Sequence, residues 1–531
     1  DEKGTILSVN NDPGTLPSYI WYTLLGIGMF WSLFSRKNRF AKLAAKASKA
    51  REAKALAALL TVALLSTFTP SYATDLDPSI KTILAFDKKH ADKFGELIVQ
   101  DTAGRMKPMD TLSTEVLAKI YKGSSLKIGS ENLDANQVIL GMMVKPQAYK
   151  VIKMIKTKDE RINKLIGATA DAKYASFAQF FEDSDAIRGY KLAEAVDSAV
   201  RKEAKYRDKF DKKVLEIDEK VNISFMVFTG QLVKIWPKID DANNKWFPTI
   251  EALQTFDNAE GEEVRRRAVD YFTAVDASVA GGDWSGANAA LAEIAAYQKE
   301  NGAAVYPSES RIKAEVLYNE MQIFERIYPY YLLMGLILLV LSFVKILKPA
   351  FNIDRYSKIF MYVLIALFIA HTIGLANRWY ISGHAPWSNG YESMIYIGWA
   401  TVLAGFIFSK RSPMTMASTG VLTGLILFVA HLNWMNPHIT TLVPVLNSYW
   451  LSIHVSMITA SYGFLGLAAL LGFISILLFI LKTAKNEKHI SYSIKELNAI
   501  NEMSIMVGLV LLTIGNFLGG VWANESWGRY L

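Results

Sequence analysis

The sequence has no cysteine among its 531 residues. That excludes a disulfide framework, a thiolate metal ligand and a redox-active dithiol, so any thiol chemistry the chain serves must use thiols supplied by a partner. Also missing from residues 74–327 are a metal-ligand spacing, a phosphate-binding loop and a nucleophile elbow. No initiating methionine or signal peptide stands before the first apolar run. The chain begins at Asp1, and the expectation is a segment of a longer polypeptide. What is present is apolar and aromatic. The composition is 51% hydrophobic and 12% aromatic with a mean hydropathy of +0.17, too apolar for an ordinary soluble domain and too charged for a bare membrane bundle. The chain is expected to be both.

Eight apolar runs are long enough to cross about 30 Å of hydrocarbon. They lie near 17–34, 54–71, 328–346, 358–377, 391–409, 416–433, 455–481 and 503–520. The net charge of +8 gathers where these runs end: Arg36 to Arg51, then Lys345, Lys348 and Arg355, then Lys410 and Arg411, then Lys482, Lys485 and Lys488. Under strict alternation all four clusters fall on one side, which the positive-inside rule makes cytoplasmic, and no nucleic-acid partner is needed to explain the charge. The second run is the weakest: Pro70-Ser71-Tyr72-Ala73 also resembles a signal-peptidase site. A retained span is favoured because the chain must return outward before the next segment. Residues 74–327 and the tryptophan-bearing connections 378–390, 434–453 and 521–531 then face outward. The organisation expected is an outer end at 1–16, two spans with a basic connection at 17–73, a mostly helical outer domain at 74–327 and six spans at 328–531. The fold class is all-α, a polytopic membrane bundle with a large soluble insert.

Within the insert, helical spacing runs through Leu192–Val221 (Ala193, Ala195, Val196, Val200, then Val214, Ile217, Val221) and through Asn288–Gln298. Leu97 to Pro108 reads as a hairpin or loop punctuated by Gly104 and Pro108. The charged faces read as solvated helix surface.

The outward connections carry the candidate chemistry. The last, Gly519 to Leu531, sets Trp522, Asn524, Glu525, Trp527, Gly528, Arg529 and Tyr530 at the mouth of a span. Such a cluster is either an interfacial aromatic belt or a surface for a large flat apolar ligand with polar edge groups. In 378–393, Trp379 and Trp387 share a short loop, and Asn389 with Glu392 approximates a capping box ahead of Tyr391. After Pro444, helical spacing puts Asn447, Trp450, Leu451, His454 and Ile458 on one stripe. His454, about one turn inside the interface, reads either as a haem-iron ligand with Trp450 beneath the ring or as a histidine bonded to a neighbouring helix. His371 and His431 lie within or at the end of spans, where bridging between helices is favoured over lining a passage. His384 and His438 are weaker candidates.

Three of these pieces, in this order, resemble the System II cytochrome c synthases, the CcsA/ResC family and its fused form CcsBA. They are Arg-Trp…Gly-His-x-Pro…Ser-Asn-x-Tyr-Glu-Ser at 378–393, Val-Pro-x-Leu-x-Ser-x-Trp-Leu-x-x-His-Val at 443–455 and Gly-x-Val-Trp-Ala-Asn-Glu-x-Trp-Gly at 519–528. Asn11-Asp12-Pro13-Gly14 is similar to the end of a CcsB/ResB partner, and Gln100-Asp101…Gly104-Arg105…Pro108 to the outer domain of some fused members. The resemblance implies a holocytochrome c synthase in the inner membrane of a bacterium. Haem b would be exported, held against the tryptophan-rich motif and joined through its vinyl groups to the thiols of a Cys-x-x-Cys-His apocytochrome c. His454 would be an axial ligand, and no residue of the chain a nucleophile. The motif normally continues past the position of Leu531, so further ligand histidines are expected in a C-terminal remainder and in a CcsB-like N-terminal part. Haem export without attachment, or a non-enzymatic assembly scaffold, are the alternatives.

Overall fold

The computed structural model describes residues 78–527 other than 186, 349, 410–411, 433–434, 443–445 and 485, together with Leu24, Ile27 and Gly28. Apart from those three positions, the expected spans at 17–34 and 54–71 lie outside the described residues. So do Asn11 to Gly14, Ala73, Gly528, Arg529 and Tyr530. The chain forms two compact units that part between Glu320 and Met321.

The unit ending at Glu320 is mostly helical. Its principal helices are α1 (Lys88–Gly95), α2 (Met109–Ile120), α3 (Ala135–Val144), α4 (Lys209–Phe228), α5 (Thr249–Thr255), α6 (Asn258–Gly281), α7 (Ser285–Asn301) and α8 (Glu309–Met321). Among the described residues five antiparallel hairpins lie between them: β1/β2 (Ile98–Gln100, Met106–Pro108), β3/β4 (Ser125–Ile128, Glu131–Asp134), β5/β6 (Lys153–Lys156, Tyr174–Ser176), β7/β8 (Phe181–Asp183, Arg188–Tyr190) and β9/β10 (Lys234–Pro237, Trp246–Pro248). Three of the hairpins feed straight into a helix. Pro108 and Pro248 end a strand where an N–H would be wasted and stand at the N-caps of α2 and α5. Asp134 closes β4 and forms a reciprocal capping box with Gln137 of α3.

The expected hairpin at 97–108 is therefore β1/β2. The Asp101 carboxylate accepts from the backbone N–H groups of Ala103 and Arg105, and Gly104 takes φ +83°, which a side chain would strain. Gln100 reaches across to β10, accepting from Trp246 N and donating to Asn244 O. Arg105 Nη2 donates to both oxygens of Glu315 on α8 at 2.7 Å. The stretch that stood out in the sequence is thus a clasp tying β1/β2 to β9/β10 and α8. One continuous core joins Phe94, Leu117, Ile139, Val214, Trp236, Val264 and Ile294. The helical stripe expected across Leu192–Val221 is broken. A helix at Ala193–Arg201 stops, and Arg207 donates to the carbonyls of Ala199, Val200 and Lys202 before α4 begins at an Asp208–Asp211 capping box. Val214, Ile217 and Val221 are buried, whereas Val200 points outward.

Among its described residues the other unit has six helices long and apolar enough to cross a membrane. They are α9 (Ile323–Leu347), α10 (Asp354–Ser382), α11 (Gly390–Ser409), α12 (Pro413–His431), α13 (Tyr449–Ile480) and α14 (Glu487–Trp527). Alternation puts the connections 383–389 and 432–448 and the end of α14 at one end of the bundle, called here the tryptophan end. The connections 348–353, 410–412 and 481–486 lie at the other, the lysine end. Glycines allow close helix approach, as small residues do in apolar surroundings. A Cβ at Gly335 would collide with the α12 backbone at Val421. Along α14, Cβ atoms at Gly508 and Gly515 would each lie 2.7 Å from a side-chain carbon of Leu465 or Ile458 on α13. Toward the lysine end the two helices share a core of Leu467, Leu471, Ile474, Leu497, Ile500 and Met503.

Candidate functional site

The tryptophan end is built around the start of α13. His454 faces the glycine side of α14, where its Nδ1 lies 2.6 Å from the carbonyl oxygen of Gly515. A carbonyl only accepts, so Nδ1 carries a proton and donates it to Gly515 O. Gly519, one turn further along α14, completes the slot: a Cβ there would stand 2.6 Å from His454 Cε1. Nε2 makes no hydrogen bond to any described residue. The arrangement is that of an oriented imidazole whose second ring nitrogen is not engaged by the described residues, as metal-ligating histidines require. Trp450 precedes His454 by one turn. Trp522 follows Gly519 by three residues, and its indole Nε1 is buried with no hydrogen-bond partner among the described residues.

The neighbouring loop is fixed by a buried ion pair. Arg378, near the end of α10, and Glu392, in the first turn of α11, have side chains 0% and 1% exposed and meet at 2.7 Å. The guanidinium also donates to the carbonyls of Pro437 (2.7 Å) and His438 (3.0 Å). The second carboxylate oxygen accepts from Ser388 N and Oγ at 2.8 and 2.6 Å. Two loops are therefore joined through one guanidinium whose hydrogen-bonding geometry compensates its loss of water. Asn389 caps α11 through its side chain to Glu392 N, but the reciprocal half of a capping box is absent because the Glu392 carboxylate turns to Arg378 and Ser388. Tyr391 is buried, and the Arg378 guanidinium lies 5.2 Å from its ring centre. Trp387 donates its indole N–H to Ser452 O at 2.9 Å, tying this loop to the helix turn that bears His454.

The remaining candidates are placed as follows. His371 is fully buried; its Nε2 is 2.9 Å from Ile395 O, bridging α10 to α11, and its Nδ1 has no partner among the described residues. His431 ends α12, 3.5 Å from Glu325 Oε1 and stacked on Tyr328 of α9. His384 places Nδ1 and Nε2 3.2 and 3.3 Å from the carbonyls of Ala385 and Thr440. The His438 carbonyl serves Arg378. Asn524 and Glu525 are exposed on the last turns of α14. The helix runs on to Trp527, seven residues beyond the span expected from hydropathy, because 521–527 contain neither proline nor glycine to stop it. Arg378, Ser388 and Gly519 stand in the motifs read from the sequence but were given no role there, and Gly515 was not singled out. Two signals pointed to them: an arginine at a span end needs a partner, and Gly515-x-x-x-Gly519 has the small-residue spacing of a close helix crossing.

The sequence comparisons say what this multi-pass helical bundle is similar to. Residues 387–531 match the family model described as Cytochrome C assembly protein. The chain is 39% identical over 533 residues to Protein NrfI of Wolinella succinogenes, an alignment that takes in all of this chain and 57% of that protein. It is 33% identical over 196 residues to the cytochrome c biogenesis protein CcsA of Prochlorococcus marinus, covering 32% of this chain and 61% of the other. With CcsA of Chlamydomonas reinhardtii it shares 34% identity over 165 residues, 29% of this chain and 46% of the other. Residues 387–531 are therefore similar to a CcsA-like cytochrome c assembly domain, and the chain as a whole is similar to NrfI. The chain spans about half to three fifths of the length of these curated relatives.

Proposed function

We propose that the protein containing this chain is a holocytochrome c synthase of the fused CcsBA kind, which presents haem b at the tryptophan end of the bundle for thioether attachment to a Cys-x-x-Cys-His apocytochrome c. The observation that carries this reading is the His454 Nδ1 hydrogen bond to Gly515 O, which leaves Nε2 free to ligate iron. The tryptophan end faces the periplasm of a bacterial inner membrane, because the lysines and arginines of the other connections belong inside. Each thioether forms by addition of a partner S–H across a vinyl group, with no leaving group. The chain therefore has no need of a nucleophile, and its work is to ligate, to orient and to exclude water. Trp450 and Trp522 supply apolar faces beside the ligand. The Arg378–Glu392 tie holds the adjoining loops still. Residues 74–327 position or shield the apocytochrome, and the CcsB-like part and the C-terminal remainder supply the other haem ligands.

The test is His454→Ala in the full-length protein, with membrane abundance measured alongside. Outer-face haem is expected to fall and cytochrome attachment to be abolished or greatly reduced, with smaller effects from His384→Ala and His438→Ala. An unchanged reduced-haem spectrum with full attachment would show His454 to be an ordinary interfacial histidine. Haem retained and exported by the unaltered protein, without covalent attachment to a coexpressed apocytochrome, would favour an exporter.

A further inference from the structure

Below the His454 site, α10 and α11 share a line of aromatic rings. Trp379 meets Trp387 at 5.6 Å between ring centroids, Trp387 meets Tyr396 at 4.7 Å and Tyr396 meets Trp399 at 5.7 Å. Trp399 then meets Phe368 at 5.5 Å, and Phe368 meets Phe406 at 5.1 Å. The middle three rings are close to parallel, with interplanar angles of 16° and 23°. Tyr396 and Phe406 are ten residues apart on one helix, about 15 Å of rise, so with the loop-borne Trp387 the line crosses much of the hydrocarbon depth. Trp379 is exposed and the other five rings are half-buried, and their neighbours on the two helices, Ile365, Ile369, Leu403 and Ile407, are exposed. Packing of a core would bury such rings, and an interfacial belt would keep them at headgroup depth. Neither accounts for a continuous line that runs down the span.

We infer that this lane is the track along which haem moves across the bilayer to the His454 site, an inference that rests on the haem-handling reading above. A flat apolar ligand meets an unbroken run of aromatic surface along these rings, so that movement along the lane meets no single deep trap. The upper end decides the occupant. The Trp387 indole N–H is bonded to Ser452 O, two residues before His454. The lane therefore delivers at the iron ligand and not at an unrelated part of the bundle. Trp399 has its indole N–H engaged by Thr372 Oγ1 at 2.9 Å, which fixes its ring without offering a polar group to the passing ligand.

The experiment separates delivery from binding in the full-length protein. Tyr396→Leu with Trp399→Leu, and separately Phe368→Leu with Phe406→Leu, keep the positions apolar and remove the rings. Purified from membranes at normal abundance, these proteins are expected to carry on the order of ten-fold less haem. When haemin is added in detergent, both should bind it with unchanged Kd and regain the His454-dependent spectrum. Tyr396→Phe with Trp399→Phe should load normally. If a leucine pair lowers abundance, Phe406→Leu alone, at the lane's far end, decides the matter by the same two readouts. Wild-type haem content in the leucine variants overturns the lane, as does equal loss of added-haemin binding, which would make the rings part of the pocket's structure. A lane that fails while His454→Ala still abolishes the spectrum leaves the haem-site reading standing. An unchanged spectrum in His454→Ala removes that reading instead.

Discussion

At the scale of single residues, the site depends on atoms that are missing as much as on those present. Gly519 leaves room for the imidazole of His454, whereas Gly520 beside it has nothing within 4 Å of a built Cβ. Gly519→Ala is therefore expected to displace the ring and lower bound haem, while Gly520→Ala is silent or stabilises by about 0.5–1 kcal/mol through helix propensity. Haem content and thermal unfolding of the two variants, measured in parallel, check this. At the second loop, Arg378→Ala leaves a buried carboxylate unpaired and frees two carbonyls as well, whereas Glu392→Gln keeps shape and most hydrogen bonds. The first should cost about 3–5 kcal/mol and the second clearly less, read from thermal denaturation of the purified protein. The sequence exposed Glu392 and Asn389 as a capping pair because that pattern is local. It could not show that the carboxylate would choose Arg378, fourteen residues earlier, since that choice depends on how two spans and two loops meet.

At the scale of elements, patterns confined to one segment were readable and those settled by a distant side chain were not. The hairpin at 97–108 follows from Gly104 and Pro108, and α7 from its spacing. The break before α4 is made by Arg207 filling carbonyls behind it, and neither helix propensity nor periodicity registers that. The joint between α1, α6 and α7 has the same character. His90 on α1 is fully buried, its ring tilted against that of Trp284 at 4.8 Å between centroids, with Nδ1 3.1 Å from Asn288 Oδ1 and Nε2 3.2 Å from Tyr271 Oη. Burial holds its pKa below 6.5, against the smaller opposing effect of the Asn288 hydrogen bond. The unfolded chain then binds a proton that the folded unit does not, so this unit's stability is full above about pH 6.5 and falls as the pH drops below it. Glu216 acts in a separate, more acidic window: burial would raise its carboxyl, but Lys220 and Lys213 hold it down at about 2. Its contribution is lost only as the pH falls from 4.5 toward 2. Urea midpoints followed between pH 7 and 5 should therefore decline, and His90→Gln should flatten that decline without touching the change below pH 4.5.

At the scale of the whole molecule, hydropathy placed all six described spans within a few residues at most of their ends, because the bilayer imposes length and composition together. The largest shift is α14, which begins at Glu487, sixteen residues before its apolar run, since a charged amphipathic stretch continues the same helix. The five hairpins of the other unit were mostly invisible, their strands being only three or four residues long. With residues 74–327 deleted and the flanking spans joined by a flexible linker, haem is expected to stay bound while attachment to apocytochrome weakens. Haem lost from a properly inserted deletion would contradict that division of labour.

The bond from His454 to Gly515 makes α14 a gauge as well as a wall. A slip of one residue along α14 would carry that carbonyl about 1.5 Å along the axis and 100° around it, far beyond the tolerance of a hydrogen bond. Trp522 rides on the same rigid rod. Any load that shifts this tryptophan is therefore transmitted to the proton on Nδ1, and through it to the basicity of the nitrogen on the other side of the ring.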